Sequence, residues 1–187
     1  MKKIKAIIFI GIFFCSFFLS NTIHAHTMLS SQGSEGLGYI VGPQHASKSS
    51  LTYKLDTTTV YIASAAVGAT RWQDTGLVTV KQSSSSNNHI WGYYDKNTST
   101  IAFNRYTYNT ATNIIIQFNI SFNDYYMSTY TQSRRNKIGT HEWGHSFGLK
   151  DLYNDANKGK IMYGYGNLMT SNNPTSFDIK GLKIGIK

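Results

Sequence analysis

The sequence of 187 residues holds one cysteine, Cys15, two prolines, and two glutamates, Glu35 and Glu142. Because Cys15 is alone and lies within the first 20 residues, no disulfide can staple the rest of the chain, and a metal bound there must be held by His, Asp or Glu. Long apolar runs are scarce as well. The charge-free stretch from Ala6 to Leu19 is shorter than the ~20 residues needed to span a bilayer, and no later segment resembles a span. The lysines and arginines are scattered rather than clustered and come with no recognition motif, which argues against nucleic acid as a partner.

What is present begins with Lys2, Lys3 and Lys5 ahead of that apolar stretch, then a polar stretch ending in the small residue Ala25. This is the pattern of a secretory signal peptide over residues 1–25, and it predicts a secreted, extracellular product. Setting the three early lysines aside leaves 15 basic against 9 acidic residues, a balance of +6. That balance serves solubility and allows a weak attraction to anionic cell-wall polymers. The remaining 162 residues suit one domain with a single core.

Residues 26–49 are rich in Ser and Gly, contain Pro43, and show no steady period, so they read as a loose N-terminal arm or a short pro-segment. Residues 50–187 read as the main domain. Leu51, Tyr53 and Leu55 alternate as in a strand, with Asp56 placed to cap a helix that carries Val60, Ala63 and Val67 on one face and ends at Gly76. Further strands are predicted at Leu77 to Gln82, His89 to Tyr94, Ser99 to Thr107 and Asn113 to Asn123. Thr129, three residues before Gln132, has the spacing of a capping box for a helix from about Tyr130 to Phe147. A last short helix starts near Pro174 and Thr175, with Asp178 in its first turn.

Chemistry concentrates in HEWGHSFGLKD, residues 141–151. On a helix, His141 and His145 lie one turn apart on one face, close enough for both imidazoles to reach one zinc ion. Glu142 stands one step round, beside the metal without binding it, where its carboxylate can take a proton from the attacking water and pass it to a leaving amine. Gly148 can adopt a left-handed conformation that ends the helix and turns the chain, which allows Asp151 to return as third ligand. Chance alone yields HExxH in such a composition on the order of once in several hundred chains.

This segment resembles the metzincin zinc-binding signature in the variant with Asp as third ligand, as in snapalysin-type proteases, and HEWGHSFGL is also similar to the matrixin version. Met162 in KIMYGYG is similar to the Met-turn methionine of that group, with Met169 as the second candidate. The resemblance implies an α+β, metzincin-like (zincin) domain: a mixed, mostly parallel twisted sheet with an antiparallel edge strand, packed on two long helices plus a short C-terminal helix. It further implies a zinc metalloendopeptidase acting on extended protein or peptide substrates held along the edge strand, placed at Ser99 to Thr107. Tyr163 and Tyr165 become candidates for the substrate pocket. Structural calcium is implied by the matrixin likeness, yet no acidic loop here has a recognisable spacing for it. Two other readings stay open: a zinc peptidase acting on cell-wall peptide crosslinks, and a catalytically silent secreted binding protein on the same frame.

Overall fold

The computed structural model describes residues 30–46, 48–56 and 60–186, so the predicted signal peptide lies outside the described residues. Among them, no helix is long and apolar enough to cross a membrane. A short antiparallel hairpin comes first, β1 (Gln32–Ser34) and β2 (Tyr39–Val41), joined by a 3-10 turn at Glu35–Leu37. The main sheet comprises β3 (Ser50–Leu55), β4 (Thr79–Gln82), β5 (His89–Tyr93), β6 (Ala102–Tyr108) and β7 (Ile115–Asn123), in the order β4-β3-β5-β7-β6. All neighbours run parallel except β6, which pairs antiparallel with β7 and forms one edge. Among the described residues four α-helices accompany the sheets: α1 (Ala63–Gln73), α2 (Asp124–Thr129), α3 (Gln132–Ser146) and α4 (Ser176–Gly185). The result is a mixed α/β domain with a mostly parallel sheet.

The alternation read in the sequence explains why the sheet has one dry face. Ile90, Phe118, Ile120 and Phe122 are fully buried against the helices, as are Trp72 of α1 and Trp143 of α3. Tyr53 and Phe118 each meet Trp143 edge-on with ring centroids 5.3 Å apart. The two tryptophans also fix α1 against α3. Trp72 donates its indole N–H to the Thr140 carbonyl at 2.8 Å, and Trp143 donates to the Ala65 carbonyl at 2.7 Å. Each bond satisfies a polar tip that burial would otherwise penalise, so the helix crossing has one preferred register.

Three local expectations are corrected. Asp56 does not cap α1, which begins after Ile62 without a side-chain cap; its carboxyl group meets the His89 ring instead. Thr129 is not the cap of α3. That role falls to Thr131, whose hydroxyl accepts from the Arg134 N–H, while the Thr129 hydroxyl donates to the Tyr126 carbonyl at the end of α2. Helix α2 is absent from the sequence reading because its six residues are too few to show a period; its signal is Asn123, whose side chain accepts from the Tyr125 N–H. The arm read as loose carries the β1–β2 hairpin, packed against α4.

Candidate metal centre

Helix α3 delivers His141, Glu142 and His145 to the floor of a cleft of about 500 Å³, whose far wall is the edge strand β6. Each imidazole is oriented by a backbone carbonyl: His141 Nδ1 lies 2.9 Å from the Ile161 oxygen and His145 Nδ1 lies 2.8 Å from the Leu149 oxygen. With Nδ1 spent as donors, both rings turn Nε2 to the same point, 3.1 Å apart. The chain then bends at Gly148, where φ is 91° and a Cβ would fall 2.6 Å from the Gln44 carbonyl oxygen. Only glycine meets both conditions.

Past the bend the chain is held on both sides of Asp151. The Gly42 N–H donates to the Gly148 carbonyl at 2.8 Å and the Lys150 N–H to the Ile40 carbonyl at 2.9 Å, so β2 lines up the approach. Beyond it, the Leu152 N–H donates to the Met162 carbonyl and the Gly164 N–H to the Leu152 carbonyl, both at 2.8 Å. The Glu35 carboxyl group, from the hairpin turn, accepts from the Tyr153 N–H at 2.6 Å and the Asn154 N–H at 3.2 Å. Asp151 Oδ2 takes the Tyr153 hydroxyl at 3.1 Å, while Oδ1 lies 3.0 Å from His141 Nε2 and 3.6 Å from His145 Nε2.

These three donors fit a zinc ion. Ligands about 2.0–2.1 Å from a tetrahedral zinc lie roughly 3.3 Å from one another, and the spacings here are 3.0, 3.1 and 3.6 Å. Two imidazole nitrogens and one carboxylate oxygen are a donor set zinc accepts, with the fourth position left to water or substrate. Glu142 Oε2 is buried without a hydrogen-bond partner, a state that a nearby cation and water relieve, and Asp151 Oδ1 is buried facing the two imidazole nitrogens. Among the described residues, this is the only group of three or more His, Cys, Asp or Glu side chains arranged to hold a metal.

Electrostatics follow from this crowding. Burial pushes His141 down, but the Asp151 hydrogen bond and then the Glu142 and Asp151 charges outweigh it and lift the group to about 9. Burial and the charge on His141 together take His145 down to about 4. Without metal, His141 thus holds its extra proton to higher pH than His145 does. Burial raises Glu142 to about 7, against the opposing His141 charge. Asp151 is pushed up by burial, yet its bond to His141 and the imidazole charges hold it well below the ordinary carboxylate range.

Both methionine candidates find places. Met162 is buried against α3, its sulfur occupying the space where a Cβ on Gly144 would fall. Met169 lines the cleft, and its carbonyl accepts from Lys137 Nζ at 2.9 Å. Tyr163 borders the cleft, but its hydroxyl donates to Asp155 at 2.8 Å and is committed there. Tyr165 is half exposed and stacks edge-on with Tyr153 and Tyr163 rather than lining the cleft.

Sequence reasoning missed four supporting residues: Glu35, Tyr153, Asn104 and Asp178. Asn104 on β6 donates its amide to the Glu142 carbonyl at 2.9 Å and the Ser146 hydroxyl at 2.7 Å, tying the edge strand to α3. Asp178 closes the capping box of α4 with Thr175, as its position suggested. Being fully buried, it also accepts the Ile161 N–H at 3.2 Å and the Met162 N–H at 3.3 Å. The peptide that orients His141 is therefore anchored through Asp178. Asp178→Ala would strand two buried donors and is expected to cost about 3–5 kcal/mol in urea unfolding of the metal-free protein. Asp178→Asn should cost less, since one amide oxygen can still accept.

No family model matches the chain, and no curated protein matches it. Among solved structures, it is similar to archaemetzincin from Methanopyrus kandleri, with 14% sequence identity and a TM-score of 0.45 over 74% of this chain and 96% of that one.

Proposed function

We propose that this chain is a secreted zinc-dependent endopeptidase of the metzincin type, with His141, His145 and Asp151 as ligands and Glu142 as general base. The observation that carries this reading is the convergence of three donor atoms at zinc-ligand spacing beside a buried, unpartnered carboxyl group. Bound there, zinc supplies Lewis acidity to the scissile carbonyl and to water. Glu142 Oε2 accepts a proton from the attacking water and hands it to the departing amine, a carboxyl group being able to make both transfers. Strand β6 has no further strand on its outer side among the described residues, so an extended peptide can add there by backbone hydrogen bonds. Asn104 keeps that strand in register with Glu142. Export is supported by the charged and apolar pattern of the first 25 residues.

The test pairs metal content with turnover. Protein stripped with chelator should take up one zinc per chain and then cleave members of an unbiased peptide library, with cleavage lost again on chelation. Failure to bind zinc, or proteolysis indifferent to chelator, would refute the proposal. Stoichiometric zinc without any cleavage would favour the silent binding protein.

A further inference from the structure

We infer that the cleft selects peptides bearing an acidic side chain within two or three residues of the scissile bond, and that Lys150 is the residue that reads it; this rests on the peptidase reading above. Four ionisable groups of the cleft, His141, Glu142, His145 and Asp151, are committed to metal and proton chemistry. Lys150 is the one Lys or Arg among the described residues lining the cleft, and the chemistry does not use it.

Its placement is built. The Lys150 N–H is bonded to the Ile40 carbonyl at 2.9 Å, and its stem passes over Gly42, where a Cβ would lie 2.3 Å from Lys150 Cε. The ammonium then reaches β6, donating to the Tyr106 hydroxyl at 2.6 Å and lying 5.2 Å from the centre of that ring. Asp151 is next in sequence but directs its oxygens to the imidazoles and Tyr153, and no ion pair to Lys150 forms among the described residues. An ammonium has three donors; one is spent on Tyr106 and the others are free to meet an anion.

Position along the strand sets which substrate residue is read. Asn104 marks the level of Glu142, and Tyr106 is two residues further along β6. At about 3.3 Å per residue the ammonium therefore stands some 7 Å along the strand from the catalytic level. A peptide paired with β6 has the same rise, so a Glu or Asp two or three residues from the cut comes within reach of Nζ.

The experiment uses zinc-loaded protein and peptides matched except for Glu, Gln or Lys at each of three positions on either side of the cut. Glu should exceed Gln at one position by about ten-fold in kcat/KM, chiefly through KM, as for a hydrogen-bonded charge pair. High salt should bring that ratio toward one. Lys150→Met should abolish the ratio, Lys150→Glu should turn it in favour of Lys peptides, and Lys150→Arg should keep it; zinc content shows that each variant is folded. Should Lys150→Met fail to fold, the salt profile of the wild type and the Lys150→Arg ratio decide. A wild type indifferent to Glu at all positions, or a preference that survives Lys150→Met, overturns the inference while leaving the peptidase reading intact. No cleavage of any peptide by the zinc-loaded wild type would overturn the peptidase reading, and the inference with it.

Discussion

Glu142→Ala is expected to bind zinc like the wild type and to lose turnover by on the order of 10³-fold, because the residue carries a proton without ligating the metal. The retained zinc is as important as the lost rate: His141, His145 and Asp151 meet without help from Glu142, so a mere folding defect would show as missing metal. A pH profile adds a second check. Burial holds Glu142 near 7 in the metal-free protein, and a divalent cation beside it favours the charged form. A base works ionised, so kcat/KM of the zinc enzyme should rise with pH along an acid limb whose midpoint lies below 7, and that limb should be absent from whatever activity Glu142→Ala retains. Appreciable casein cleavage by Glu142→Ala, with an unchanged acid limb, would remove the residue from its assigned role.

The parts of this site that were legible in the sequence are those that local geometry alone decides. Two histidines four apart, a glutamate between them and a glycine three residues on share one helical turn and one bend, so their relations survive without knowledge of the fold. The strands were legible because each needs only a period of two to bury one face, and their ends slipped by up to three residues where that period fades. Glu35, Asn104 and Asp178 were not legible as supports, and for one reason. Glu35 reaches Tyr153 across 118 positions, Asn104 reaches the Glu142 carbonyl across 38, and Asp178 reaches Ile161 across 17. No spacing rule joins such pairs. Asp178 shows the limit best, since reading it as a helix-start residue was sound and yet missed half of what its carboxyl group accepts. The same holds for the hairpin. A Ser- and Gly-rich stretch with no period looks unstructured until β2 is seen bonded to the segment that leads into Asp151.

Asp151→Ala is the second variant with a large expected effect, and it makes two separable predictions. Loss of a ligand should weaken zinc binding by at least about 100-fold, beyond what removal of an outer partner such as Tyr153 does. The other readout is the proton displaced by the metal. In the metal-free wild type His141 stays charged up to about 9, held there against burial by its hydrogen bond to Asp151. Zinc needs the neutral ring, so at pH 8, where Glu142 near 7 is already mostly ionised, binding should release close to one proton. Affinity should accordingly rise by nearly ten-fold per pH unit up to about 9 and then level off. Without Asp151, its hydrogen bond and charge no longer oppose burial, and only Glu142 and the Ile161 carbonyl still favour the charged ring. His141 then loses its proton at lower pH, so proton release at pH 8 should fall. Titration calorimetry in two buffers of different ionisation enthalpy measures both quantities at once. A variant that kept wild-type affinity would show that Asp151 is no ligand; one that lost affinity but still released a full proton would show that the charge on His141 has another source.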